Sequence, residues 1–252
     1  MKPILFSIGP FNVYSFGFLL AVAFIFSTFI IWKFGREELK EEEYLDMYFA
    51  TSFVALLSAR AIYILLNFQD FGTNILRYIL VRDTPGLSLI GGLFGGFLFL
   101  YWYAKKKRYN VLHLFDLFAV SSSLALVFTK IGQFLGGSGF GTETVLPLGV
   151  RIVGITGIRH PVELYEAFSL LILSCALYVL YTKSLRRKWP KGLTSAVFVW
   201  GVSLTIFLLE FFKVRTLYLY AMSFRQVVAA IGLIVFLIPI IQRVQYLRKK
   251  DI

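Results

Sequence analysis

The sequence predicts an all-α integral membrane protein, and three observations lead there. Of 252 residues, 58% are hydrophobic and only 16% charged, with a mean hydropathy of +0.74. A soluble domain is typically about 45–50% apolar and about 25% charged. Seven stretches also approach the roughly 20 apolar residues that a helix needs to cross a bilayer. Finally, the Lys and Arg residues gather between these stretches in an alternating pattern.

The seven expected spans cover residues 13–32, 47–67, 87–104, 115–135, 164–182, 193–212 and 227–241, and make up a single polytopic membrane domain over 1–252. The first has no basic segment before it and no small-residue cleavage site after it, so it reads as a retained helix. The third and fifth are short, which implies tilt or partial burial. Four connecting segments carry sixteen positive charges: Lys33, Arg36 and Lys40; Lys105 to Arg108; Lys183, Arg186, Arg187, Lys188 and Lys191; and Arg243, Arg248, Lys249 and Lys250. The intervening segments carry half as many: Lys2, Arg77, Arg82, Arg151, Arg159, Lys213, Arg215 and Arg225. The excess of Lys and Arg in cytoplasmic loops places the N-terminus outside and the C-terminus in the cytoplasm. Two outer segments, 68–86 and 136–161, are long, and long loops are often functional. The run Glu41–Glu43 reads as a solvated helix start.

The net charge of +12 lies between hydrophobic stretches. It therefore speaks for topology and contact with anionic membrane lipid rather than for nucleic acid. Cys175 is the one cysteine, so no disulfide framework forms; inside an apolar span it reads as packing. His113 and His160 are too few and too distant to suggest a metal cluster, and His113, beside a basic loop, reads as interfacial.

Ionisable groups inside membrane spans are costly and mark functional sites. Here they gather toward the outer half: Arg60 in the second span, Lys130 and Gln133 near the end of the fourth, and His160, Glu163 and Glu166 at the start of the fifth. Glu210 and Lys213 end the sixth, and Arg225 and Gln226 open the seventh. Simpler readings stand beside this one. Arg60 can pair with an acid to lock two helices. Lys130 and Lys213 can snorkel to the interface. His160-Pro161 can start a helix, with Glu163 as a favourable first-turn carboxylate. Gly91-Gly92 and Gly95-Gly96 have the small-xxx-small spacing of close helix packing. Gly132, Gly136, Gly137, Gly139 and Gly141 form a run dense enough to expose backbone N–H groups to an anion.

Several segments together resemble the prolipoprotein diacylglyceryl transferase family along nearly the whole chain. They are Ile8-Gly9-Pro10 with VYSFGFLL; Ala59-Arg60 and Tyr63; Gly86-Leu87-Ser88 with Gly91-Gly92; and Lys130-Ile131-Gly132-Gln133-Phe134 with Gly137 and Gly141. Arg159-His160-Pro161 with Leu164-Tyr165-Glu166, and Glu210-Phe211-Phe212 with Ser223 and Gln226, complete the set. The resemblance implies transfer of a diacylglyceryl group from phosphatidylglycerol to the lipobox cysteine thiol of a bacterial prolipoprotein, at the outer face of the cell (inner) membrane. It implies no metal or organic cofactor. Such chemistry needs a base, because the thiolate is the nucleophile, and cations to stabilise the departing phosphate. Carried onto this chain, the resemblance makes His160, Glu166 and Lys130 the catalytic candidates, with His160 or Glu166 as base. Arg60, Gln133, Gly132, Gly137, Gly141, Tyr165, Glu210 and Lys213 become substrate- and phosphate-binding candidates.

The chain departs from the family pattern at Ile90 (His, the proposed base), Lys130 and Lys213 (Arg), Gln133 and Gly136 (Asn), Ser138 (Glu) and Phe16 (Tyr). Lys keeps the charge but not the bidentate fork of Arg. Two alternatives follow: a catalytically impaired relative that binds phospholipid or lipoprotein precursors and, on the intramembrane charges alone, a small membrane transporter.

Overall fold

A computed structural model describes residues 2–9, 11–35, 43–72, 78, 86–137, 139–152, 155–214, 218–219 and 222–250. Pro10, Arg36, Lys40, Glu41, Arg77, Arg82, Ser138 and Arg215, all named above, lie outside the described residues. Seven long helices occupy the seven apolar stretches: α1 (Ser15–Gly35), α2 (Glu43–Leu66), α3 (Leu89–Lys106), α4 (Val111–Gly136), α5 (Val162–Arg187), α6 (Leu193–Leu209) and α7 (Phe224–Lys250). By length and composition, six of them can cross a membrane, α6 together with the 3-10 turn that follows it as Leu193–Phe212. The exception, α3, has 18 residues and a length of about 27 Å, and its last turns carry Tyr101, Trp102, Tyr103, Lys105 and Lys106, residue types of the membrane interface. The fifth stretch, expected to be short, is instead a 26-residue helix, because its polar ends continue the helix beyond the apolar run.

Among the described residues, three small antiparallel ladders accompany the helices. β1 (Ile4–Ile8) pairs with β2 (Phe11–Tyr14), β3 (Val150–Arg151) with β4 (Ile158–Arg159), and β5 (Tyr218–Leu219) with β6 (Met222–Ser223). The first ladder runs into α1, whose Ser15 hydroxyl donates to the Lys2 carbonyl and whose Ser15 N–H donates to Pro3 O at 2.8 Å.

The chain divides into two compact units, Ile31–Leu114 and Met1–Ile30 with Phe115–Ile252. In the first, α2 packs on α3 through the glycine positions. A Cβ at Gly91 would lie 2.6 Å from Ile62 Cβ, one at Gly95 2.0 Å from Ser58 Oγ, and one at Gly96 3.1 Å from Ala55 Cβ. Close backbone approach through small residues is how helices associate where lipid removes the hydrophobic drive. Arg60 donates to the carbonyls of Tyr78 and Gly86, both at 3.1 Å, and its guanidinium lies 5.1 Å from the centre of the Phe71 ring. Glu43 opens α2 and pairs with Lys107 at 3.3 Å. His113 is buried rather than interfacial, and Ile90 is half-exposed on α3.

In the second unit, small polar residues join the helices. Ser27 and Ser121 exchange hydroxyl-to-carbonyl bonds of 3.1 and 3.3 Å between α1 and α4, and the Ser123 hydroxyl donates to Ser174 of α5 at 3.1 Å. Buried Asp116 of α4 accepts the Gly192 and Ser195 N–H groups at 2.6 and 2.7 Å, capping α6 from a neighbouring helix. α6 packs on both α5 and α7. Cys175 is exposed on α5 instead of packed, because the helix turns it away from its buried neighbour Ser174.

Asp116→Ala strips two buried N–H groups of their acceptor. It is expected to cost about 1–3 kcal/mol, read as a lower thermal midpoint in detergent, with Asp116→Asn milder because an oxygen acceptor remains.

Candidate functional site

The polar residues of α4, α5 and the turn after α6 converge within the second unit. Lys130 lies on the last turns of α4 and is only 7% exposed. Glu166, in the second turn of α5, is 1% exposed. Lys130 Nζ meets Glu166 Oε2 at 2.6 Å. The other carboxylate oxygen, Glu166 Oε1, receives Lys213 Nζ at 2.8 Å. Lys213 follows the 3-10 turn Glu210–Phe212 that closes α6, and its Nζ also lies 3.6 Å from Glu163 Oε1. One carboxylate thus holds two ammonium groups, and a second carboxylate stands one turn earlier on the same helix face.

Neither lysine snorkels to the interface. The Lys213 side chain is only 12% exposed, because its carboxylate partners sit inside the helix cluster. Glu163 is more than first-turn decoration, since it is buried against Lys213 and the 139–141 loop.

Strand-like pairing fixes that loop. Gly141 N donates to His160 O and His160 N to Thr142 O, both at 3.1 Å, while Thr142 N donates to Phe212 O at 2.8 Å. Gly141 also forms a bridge with Lys213, and Glu143 with Arg159. These bonds tie the loop after α4 to the start of α5 and the end of α6, the three places that supply the charged groups. Arg159 pairs with Glu143 at 3.1 Å outside the buried cluster. His160 Nδ1 lies 3.4 Å from the Tyr165 hydroxyl, and its ring centre is 5.1 Å from that of Phe212.

A second polar group flanks the first. Glu210 Oε1 accepts from the Ser223 hydroxyl at 3.0 Å, and Glu210 Oε2 lies 3.5 Å from Arg225 Nη1. Gln226 Oε1 accepts the Ser223 N–H at 3.0 Å and Ser223 Oγ accepts the Gln226 N–H at 3.2 Å, closing the entry to α7.

The glycines divide the work. Gly132 sits where α1 crosses α4, and a Cβ there would lie 3.3 Å from Leu19 Cβ and from the Phe16 ring. Phe16 thus packs at this helix crossing. Gly137 has φ 71° and lets the chain leave α4 in a conformation that favours glycine. A Cβ at Gly139 would fall 2.2 Å from Glu163 Oε1, and one at Gly141 2.7 Å from His160 Cβ and Phe212 O. Gln133 is half-buried one turn beyond Lys130. Of the predicted site residues, Lys130, His160, Tyr165, Glu166, Glu210, Lys213 and Gly141 occupy this network of helix ends, whereas Arg60 belongs to the other unit. Among the members absent from the predicted site set are Glu163, Gly139 and Ser223. Their signals were faint, because a first-turn Glu, a loop Gly and a Ser before a helix each have an ordinary structural explanation.

Fold and site together define a multi-pass membrane protein with a buried cluster of acids and cations at one end of its helices. The family model described as Prolipoprotein diacylglyceryl transferase matches residues 3–242, and the chain belongs to that family. It is 28% identical over 252 residues to a Clostridioides difficile (strain 630) protein named phosphatidylglycerol–prolipoprotein diacylglyceryl transferase, covering 100% of this chain and 97% of that one. A Rickettsia bellii (strain OSU 85-389) protein of the same name is 31% identical over 222 residues, 84% of this chain and 82% of its own length. One from Idiomarina loihiensis is 28% identical over 221 residues, 84% and 80% of the two chains. These relatives favour neither the impaired-relative reading nor the transporter.

Glu166→Ala leaves two buried ammonium groups without their shared counter-ion. It is expected to destabilise the protein by about 3–5 kcal/mol, measured as thermal denaturation in detergent. Adding Lys130→Met should recover part of that loss, since the two residues are in contact and their effects are not additive.

Proposed function

We propose that this chain transfers the diacylglyceryl group of phosphatidylglycerol to the thiol of a prolipoprotein lipobox cysteine. The observation that carries the reading is the pair of buried lysines on one carboxylate, in a chain matched to the family over nearly its full length. Thiolate attack on the glycerol carbon that bears the phosphate ester forms a C–S bond and breaks a C–O bond, and the electrons leave with the phosphate. Lys130 and Lys213 stand at the two family Arg positions and supply positive charge for that leaving group. Preorganised charge of this kind lowers the barrier because little rearranges during reaction. Glu166 holds both ammonium groups in place through its two oxygens.

With those oxygens occupied, the acceptor for the thiol proton is sought in His160 or in neighbouring Glu163. Tyr165 orients the His160 ring. Glu210, with Ser223 and Arg225, borders the site on the α7 side, and Arg60, within its own unit, is kept as a phosphate-binding candidate. Gly137 and Gly141 shape the loop between Lys130 and His160, and Gln133 keeps an amide one turn from Lys130. Gly132 acts indirectly, through the packing of α1 on α4. We place the protein in the bacterial inner membrane with seven spans, the N-terminus outside, the C-terminus in the cytoplasm and the site at the extracytoplasmic face. The Lys and Arg excess in alternating connections supports that orientation.

Purified protein, labelled phosphatidylglycerol and a lipobox peptide provide the test, beside a Cys→Ala peptide. Transfer that requires the cysteine is expected, and folded protein that transfers nothing overturns the reading. Lys130→Met and Lys213→Met should each lower kcat by about 100- to 1,000-fold, with the Lys→Arg variants losing far less.

A further inference from the structure

We propose that Glu163 takes the proton of the acceptor thiol, and that binding of the anionic lipid headgroup at Lys213 is what releases it for the task. The inference rests on the transferase reading above. It starts from an imbalance among the buried carboxylates. Glu166 has both oxygens held by ammonium groups at 2.6 and 2.8 Å. Glu210 is shared between the Ser223 hydroxyl and Arg225. Glu163 is only 3% exposed, yet its one ion-pair contact among the described residues is long, 3.6 Å from Oε1 to Lys213 Nζ. Its Oε2 has no hydrogen-bond partner among the described residues; Glu166 Oε1 and Oε2 and Glu210 Oε2 also lack one, but each of those three meets a cation in an ion pair. An unpartnered buried carboxylate oxygen is expensive, and such atoms call for an explanation beyond packing.

Charge bookkeeping supplies one. Lys130, Lys213, Glu163 and Glu166 sum to zero formal charge. A phosphodiester adds one negative charge and competes for Lys213, whose hold on Glu163 is the weakest contact in the cluster. Drawing Lys213 toward phosphate leaves the buried Glu163 charge without its counter-ion, which favours uptake of a proton. In the reaction, the thiol S–H proton passes to a Glu163 oxygen as the thiolate attacks the glycerol carbon. The C–O bond breaks with its electron pair on the phosphate oxygen, and Glu163 then returns the proton to the departing glycerol phosphate. No oxidant or further reactant is consumed. Gly139 fits this role, because a Cβ there would lie 2.2 Å from Glu163 Oε1. No side chain from residue 139 therefore stands between the loop and the carboxylate. His160 is engaged otherwise, with Nδ1 at the Tyr165 hydroxyl and its ring edge-on to Phe212.

The experiment compares wild type with E163Q on the Cys lipobox peptide between pH 6 and 9, with the lipid KM measured alongside. E163Q is expected to lose about 100- to 10,000-fold in kcat while its KM for phosphatidylglycerol stays close to wild type. Its residual rate should climb with pH as the peptide thiol, with an ordinary value of about 8.5, ionises without help. Lys213 lies 3.6 Å from Glu163, Glu166 and Lys130 complete the charged cluster, and His160 precedes the same helix start. All four are unchanged in E163Q, so a new pH slope reports the lost acceptor. Glu163→Asp keeps the charge one methylene farther back; it should lose rate without acquiring that slope, and it carries the test if E163Q does not fold. An E163Q enzyme with wild-type rate and pH profile overturns this proposal and leaves the transferase reading intact. So does a defect confined to KM, which would make Glu163 a holder of Lys213. Wild-type protein that is folded but transfers nothing overturns both.

Discussion

The Glu166 carboxylate, gripped from two sides by Lys130 and Lys213, is the interaction on which the functional end of the molecule depends. It joins three separate parts of the chain: the end of α4, the second turn of α5 and the turn that closes α6. Burying an ion pair in a low-dielectric site contributes little net stability, because the Coulombic gain is set against desolvation of both partners. What the arrangement contributes is position. Two ammonium groups that would otherwise reach for the interface are held inside, on the two oxygens of one carboxylate.

The backbone around that cluster is arranged to match. Gly141, Thr142 and His160 form a short ladder that also engages Phe212 and Lys213, so the loop after α4 cannot drift from the helix ends that carry charge. The rest of the second unit is assembled by small polar contacts, Ser27 with Ser121 and Ser123 with Ser174. This suits helices whose outer faces are apolar: lipid does not squeeze them together, so close approach and interhelical hydrogen bonds must. Asp116 applies the same economy at the opposite end of α4, satisfying the first turn of α6 from across a helix contact.

Lysine, rather than arginine, supplies both cations on the Glu166 carboxylate. A guanidinium would bind a carboxylate or phosphate with a planar fork, whereas an ammonium is a compact charge that can pivot between partners. Lys213, within reach of both Glu163 and Glu166, is placed to make that pivot.

The sequence by itself determined the helices and the identity of most charged groups in the cluster. Helical spans are legible because they need only a local run of apolar residues of sufficient length, and buried charges are legible because such runs have no cheap use for them. The small-xxx-small glycines of α3 were readable for the same reason, since their spacing is local. The tertiary structure decided which charge meets which. Glu166 rather than Glu163 became the doubly held carboxylate, and Gly132 served a helix crossing while Gly139 lay against a carboxylate. Lys213 turned inward, His113 was buried and Cys175 faced out. Each of these depends on helix rotation and on contacts between segments far apart in sequence, and no periodicity within one segment records them.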